Sequence, residues 1–309
     1  MTCDQNSCQN NPQYVSGDSE TFDDSQSMDV RLNYGSGYLS GYEFRDTVWV
    51  QNLEIPDQEL AEVIEQDEGS TTNFSCLIGL GFPELAPNGE LMLFDNMMQQ
   101  GVLAENLFTV YYYNDNIHSD IIFGGLSREY YEGDINYVNV QERYHWNIRI
   151  DDFLVNGESI DACPNGCQGL VDTGTLLNTY EPDQYDSIRE RMPDVVDWED
   201  LSNFPTLTYV IGGIDYTLEP QDYVIRPCHE TCKSGFFKMA VFEDPQSPAM
   251  VIGVVFMKKF FTVFDRTDDS NPRVGFALAS DISADGDLNS DVDNIPINGD
   301  GYTSFGCVA

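Results

Sequence analysis

This chain of 309 residues predicts a mainly β fold with a few short helices, and two observations carry that prediction. Tyr and Phe are plentiful, at 17 and 18 residues, and the apolar segments are short and rich in β-branched and aromatic side chains. Such side chains suit a pleated, half-buried surface better than a long helix. The second observation is the stretch from Asp29 to Val50, where apolar and polar residues alternate around Gly35, Gly37 and Gly41. That pattern predicts a β-hairpin with a glycine-rich tip.

Taken in order, residues 1–30 are dominated by Asn, Gln, Ser and Asp and read as loop. After the hairpin, further strands are expected at 47–55, 107–113, 120–124, 135–140, 146–155, 206–211 and 250–256. A helical pattern appears near 91–100, in Leu91-Met92-Leu93-Phe94-Asp95-Asn96-Met97-Met98, and at 182–192. A hydrophobic content of 41% suffices for a sizeable core, and the length fits one large or two modest domains. The segments Cys76-Leu77-Ile78-Gly79-Leu80 and Met250-Val251-Ile252-Gly253-Val254 echo one another, as a duplicated fold would place them. With a boundary after Phe123-Gly124-Gly125, the expectation is an N-terminal lobe over 1–130, a C-terminal lobe over 131–280 and an acidic, solvated and disordered tail over 281–309. Within the tail, Asp285, Asp287, Asp291 and Asp293 lack the Gly and terminal Glu of an EF-hand loop, so no metal site is assigned.

Charge narrows the function classes. Fourteen basic residues face 53 acidic ones, a formal net charge of −39 at pH 7. Nucleic acid and anionic membranes would be repelled, so neither is an expected partner. An acidic coat for solubility and work at low pH, where protonation relieves carboxylate repulsion, both fit this charge. The longest apolar run, Ala249 to Met257, is too short to span a bilayer. Of the eight cysteines, Cys3/Cys8, Cys163/Cys167 and Cys228/Cys232 lie close in sequence, which suits either metal binding or disulfides. The spacings exceed the usual zinc C-x2-C and only three histidines are present, so small disulfide loops and an oxidising secretory compartment are favoured. Residues 1–30 show no signal-peptide pattern, and the simplest resolution is that Met1 is not the true start.

The segment with most chemical content is Gly169-Leu170-Val171-Asp172-Thr173-Gly174-Thr175. Apolar residues run into a tight turn that presents a carboxylate, and the Gly174 amide is placed to donate to it. An isolated Asp-Thr-Gly is commonly an ordinary turn. Its context here is Trp146-Asn147-Ile148, Val155-Asn156-Gly157-Glu158, Cys163-Pro164-Asn165-Gly166-Cys167, then Val171-Asp172-Thr173-Gly174-Thr175. That order resembles the second lobe of the pepsin and cathepsin D type aspartic proteases. Upstream, Tyr34-Gly35-Ser36-Gly37 resembles the family's substrate-covering flap, and Phe261-Thr262-Val263-Phe264-Asp265 and Val274-Gly275-Phe276-Ala277 resemble its closing strands.

The resemblance implies a bilobal pepsin-like acid protease fold in which two aspartates share a proton and activate a water against a peptide bond. By carry-over, Asp172 is one catalytic aspartate, supported by Thr173, Gly174 and Thr175, with Tyr34, Gly35 and Ser36 in the flap. The partner implied is a peptide or protein bound in extended form by a monomer, with no cofactor, in a secreted or endolysosomal (or vacuolar) setting. The family's first Asp-Thr-Gly precedes its first small disulfide loop, whereas Cys3 and Cys8 here follow only Met1 and Thr2. The N-terminal lobe is therefore expected to be incomplete and the polypeptide on its own inactive. The alternative is a catalytically inactive peptide-binding relative. Further departures are Leu176, where the family commonly has Ser, Val254, where many members have Asp, and an altered third disulfide around Cys228 and Cys232.

Overall fold

The computed structural model describes residues 14–34, 37–66, 76–86, 88–113, 119–192, 200–225, 233–234, 236–238, 248–282 and 306–308. Two compact units emerge, Met1–Leu103 with Asn289–Ala309 and Ala104–Leu288.

The first unit is organised on a three-stranded antiparallel sheet of Asp29–Tyr34, Gly37–Val50 and Leu53–Gln66. Tyr34 pairs with Gly37, the last pair between the first two strands of the expected hairpin. The strand expected at 47–55 is instead broken by a second hairpin, in which Val50 faces Leu53. Gln51 adopts φ 54° there, a left-handed conformation that the turn imposes without a glycine. Val30, Phe44 and Ile55 of this sheet are buried, and the unit's core is completed by Leu80, Phe82, Phe94 and Met97. Tyr14 stacks on Phe44 with ring centroids 4.8 Å apart. The helix expected near 91–100 runs Leu93–Gln100 and stops at Gly101, whose φ of 67° gives a left-handed C-terminal cap. Within the 281–309 tail, Gly306–Val308 forms a strand that pairs in parallel with Leu77–Gly79.

The second unit carries a ten-stranded sheet. Its order runs Phe236–Lys238, Asn178–Tyr180, Met250–Ile252, Cys167–Val171, Trp146–Ile150, Tyr131–Arg143, Arg273–Ala279, Phe260–Asp265, Leu107–Tyr112 and Ser119–Phe123. A smaller sheet joins Glu158–Ser159, Asp152–Val155, Leu207–Ile211 and Ile214–Leu218. The 146–155 stretch thus divides between the two sheets rather than forming one strand. Likewise the apolar run at 250–256 is a strand only to Ile252. A short helix, Val254–Lys259, follows Gly253. Aromatic side chains fill the interior: Phe108 stacks on Phe264 at 4.6 Å, with Trp146 edge-on to Phe108 at 5.7 Å. Phe153, Tyr180, Tyr209 and Phe256 are all buried, and Phe256 also meets Phe276 edge-on. Full burial of side chains this large supplies most of the driving force available to such a unit. The result is a mainly β protein with a few short helices.

Candidate active site

Asp172 lies one residue beyond Val171, the buried last residue of the strand Cys167–Val171. That strand runs parallel to Met250–Ile252, with Gly169 opposite Met250, Leu170 opposite Val251 and Val171 opposite Ile252. On its other side it pairs antiparallel with Trp146–Ile150. The two strands diverge immediately afterwards, and the Asp172 amide makes a last bond to the Ile252 carbonyl at 3.0 Å. Asp172 is 8% exposed. A carboxylate at that depth requires donors, and the following turn brings them. The Gly174 amide donates to Oδ1 at 2.8 Å, and the Thr175 hydroxyl donates to Oδ2. Both oxygens are thereby oriented by the residues that follow Asp172 in the chain.

The loop is itself clamped from behind. The helix Val254–Lys259 begins with amides that have no partner inside the helix. Two of them find the loop: the Val254 amide donates to the Thr175 carbonyl at 2.9 Å and the Val255 amide to the Leu176 carbonyl at 3.2 Å. Gly253 permits this approach, because a Cβ there would lie 2.4 Å from the Thr175 oxygen and 2.7 Å from the Leu177 oxygen. The Gly253 amide donates to Oδ1 of Asn178, a side chain only 1% exposed, at 2.8 Å. Neither Gly253 nor Asn178 was assigned to the site from sequence. The apolar-apolar-Gly echo at 250–254 did mark Gly253, while Asn178 follows no periodic signal. Asn178→Ala strands a buried amide and is expected to cost about 1–3 kcal/mol in urea unfolding.

Other expected site residues fall as follows. Thr173 is half-buried in the turn and Leu176 is exposed. Cys163 and Cys167 form a disulfide in the loop that leads into the Asp172 strand. Tyr34 ends the first hairpin strand, while Gly35, Ser36, Cys3, Cys8, Cys228 and Cys232 lie outside the described residues. Among the described residues Cys76 is a free, exposed thiol. No cluster of three or more metal-binding side chains occurs among them, and no helix is long and apolar enough to cross a membrane.

The arrangement, a donor-ringed carboxylate at the fork of two parallel strands, bears directly on what the chain resembles. Residues 1–279 match the family described as eukaryotic aspartyl protease. Among curated proteins, cathepsin E of Mus musculus is 32% identical over 292 residues, covering 90% of this chain and 72% of that protein. Gastricsin of Macaca fuscata fuscata is 31% identical, covering 90% and 76%, and pepsin A of Sus scrofa 31%, covering 89% and 72%. This chain belongs to the pepsin family of aspartic proteases. In this pepsin-family chain the mainly β architecture agrees with the family's fold.

Asp46 is the other aspartate followed by threonine in the sequence, and its surroundings differ from those of Asp172. It is 4% exposed and sits on the strand Gly37–Val50. Four donors converge on it: the hydroxyls of Tyr14 at 2.5 Å, Ser19 at 2.8 Å and Thr21, and the Thr47 amide at 2.7 Å. Burial pushes its pKa up, but the hydroxyls of Thr21, Tyr14 and Ser19 and the Thr47 amide outweigh that and hold it below the ordinary value. Its carboxylate binds segment 14–21 to the sheet, which is a structural task.

Proposed function

We propose that this protein is an aspartic endopeptidase in which Asp172 is one of the two carboxylates that activate water. The observation that carries this reading is the buried Asp172 carboxylate, held by the Gly174 amide and the Thr175 hydroxyl just beyond the strand Cys167–Val171. An ionised carboxylate so held accepts a proton from water, while a second, protonated carboxyl group polarises the peptide carbonyl. The Asp172 loop supplies no other acid or base, so its part is confined to that proton and to orientation. Tyr34, Gly35 and Ser36 are assigned the role of a flap over an extended peptide or protein substrate. The protein acts as a monomer, without a cofactor, in a secreted or endolysosomal setting.

Residues 1–309 contain a single Asp-Thr-Gly, and Asp46 is already committed to its four donors. The reading therefore assigns one carboxylate of the pair within this sequence and leaves the second unassigned. A polypeptide of these 309 residues alone is expected to cleave peptides slower than a complete enzyme by about 10³-fold or more. The test is cleavage of an extended peptide in acid, with and without a transition-state analogue. Rapid cleavage that the analogue blocks would place a second carboxylate within these residues. Rapid cleavage that it does not block would remove the aspartic mechanism. The same single Asp-Thr-Gly favours a second reading, a peptide-binding relative that does not cut; tight, non-productive peptide binding by the protein made from its complete transcript is its signature.

A further inference from the structure

Pairing the near neighbours among the eight cysteines leaves two over. Cys163 and Cys167 are bonded, and Cys3/Cys8 and Cys228/Cys232 have the short spacings of small disulfide loops. Cys76 and Cys307 remain, far apart in the sequence. The fold brings those two together. The strand Gly306–Val308 runs parallel to Leu77–Gly79, with Gly306 opposite Leu77 and Cys307 opposite Ile78. Cys76 immediately precedes Leu77, and Cys307 immediately follows Gly306. Both cysteines belong to the first unit.

The register sets the separation to be closed. Positions 76, 78 and 307 fall on one face of the ladder by the two-residue period of a strand. With strands about 4.8 Å apart and a rise of about 3.3 Å per residue, straight chains would hold the Cys76 and Cys307 Cα atoms about 8 Å apart. A disulfide needs about 4.4–6.8 Å. Cys76 lies outside the strand, so a shift of about 1–2 Å at that residue closes the gap and leaves the ladder intact. Its thiol is free and exposed, and so open to an oxidant. The strand pair also gains most from a covalent tie. Among the described residues it is a separate two-stranded sheet, three residues to a side, and a two-stranded sheet is marginal by itself in water.

We propose that Cys76 and Cys307 form a disulfide that fastens the strand Gly306–Val308 to Leu77–Gly79. The bond forms by exchange with an oxidant that is itself a disulfide, small or protein-borne. The two cysteine thiols give up two protons and two electrons and gain one S–S bond. The oxidant's S–S bond breaks, takes up both electrons and both protons, and leaves as two thiols. The Cys163–Cys167 bond of the same chain requires oxidising conditions of the same kind. Neighbouring protein atoms desolvate the Cys76 thiol and push its pKa up, so its reactive thiolate is scarce in acid and more abundant toward alkaline pH. The link is independent of Asp172 and of peptide cleavage.

The test is a peptide map of the full chain, equilibrated at about pH 8 with oxidised and reduced glutathione until Cys163 and Cys167 are bonded. Remaining thiols are alkylated under denaturing conditions, and the unreduced digest is read by mass spectrometry. A pair of peptides joined through Cys76 and Cys307 is expected, and it should separate on reduction. Alkylation of both cysteines, or a bond from either to another cysteine or to glutathione, overturns the proposal. The fastening is read by hydrogen exchange. In Cys76→Ser and in Cys307→Ser, the amides of 77–79 and 306–308 should exchange about 10-fold or more faster than in the bonded wild type. Those of Leu107–Tyr112, in the second unit, should keep their rates. Unchanged exchange at 77–79 and 306–308 in both variants overturns the fastening.

Discussion

Asp172→Asn, made in a form of the protein that cleaves peptides, is expected to lower kcat by about 10³-fold or more with the fold intact. The substitution is isosteric and keeps an oxygen acceptor for the Gly174 amide, 2.8 Å away, so the turn has no reason to rearrange. The Thr175 hydroxyl can rotate to remain bonded to either an oxygen or a nitrogen. In the proposed mechanism what is lost is the negative charge that accepts a proton from water, and an amide cannot replace it in that step. Asp172→Ala should be equally inactive but also less stable, because it strands the Gly174 amide and the Thr175 hydroxyl together. Steady-state kinetics read the first effect, and urea unfolding of the two variants separates it from the second.

Gly253→Ala is expected to destabilise the second unit by about 3 kcal/mol or more, well beyond an ordinary glycine-to-alanine change. A methyl group there would overlap the carbonyl oxygens of Thr175 and Leu177, which are backbone atoms and cannot swing aside. Relief requires moving either the helix Val254–Lys259 or the loop after Asp172. Both shifts weaken the bonds from Val254 and Val255 to the loop carbonyls and from Gly253 to Asn178. Cleavage should therefore fall even where the variant still folds, since misplacing the reacting groups by an ångström can cost about 10²-fold. Unfolding by urea and kcat measured under conditions where the protein remains folded report the two effects.

Much of this was legible in the sequence where chemistry is local. The hairpin around Gly35 and Gly37, the helix ending before Gly101 and the Asp172-Thr173-Gly174 turn each carry their signal within a few residues. The pepsin-family resemblance rested on such segments in order. What escaped depends on partners far apart in the chain. The turn at Gln51 and Asn52 has no glycine, and the run from Met250 to Phe256 reads as one strand because strand and helix here are equally apolar. Nothing in a polar residue at position 178 reveals that it binds the Gly253 amide. Glu43 lies on an alternating strand between Tyr42 and Phe44, and nothing in that pattern marks its side chain as buried. Only the fold shows Glu43 buried, with the Asn88 side-chain amide donating to it. Asp46, too, is distinguished from a catalytic aspartate by its four donors rather than by its own Asp-Thr.

The central claim is that this pepsin-family chain serves peptide cleavage through a carboxylate pair that includes Asp172. Its most direct test is the rate at which the protein expressed from its complete transcript cuts an extended peptide in acid. The account predicts cleavage at internal bonds, blocked by a transition-state analogue that mimics the hydrated peptide carbonyl. A folded protein that binds the same peptide and leaves it uncut would contradict the account and establish a peptide-binding relative in its place.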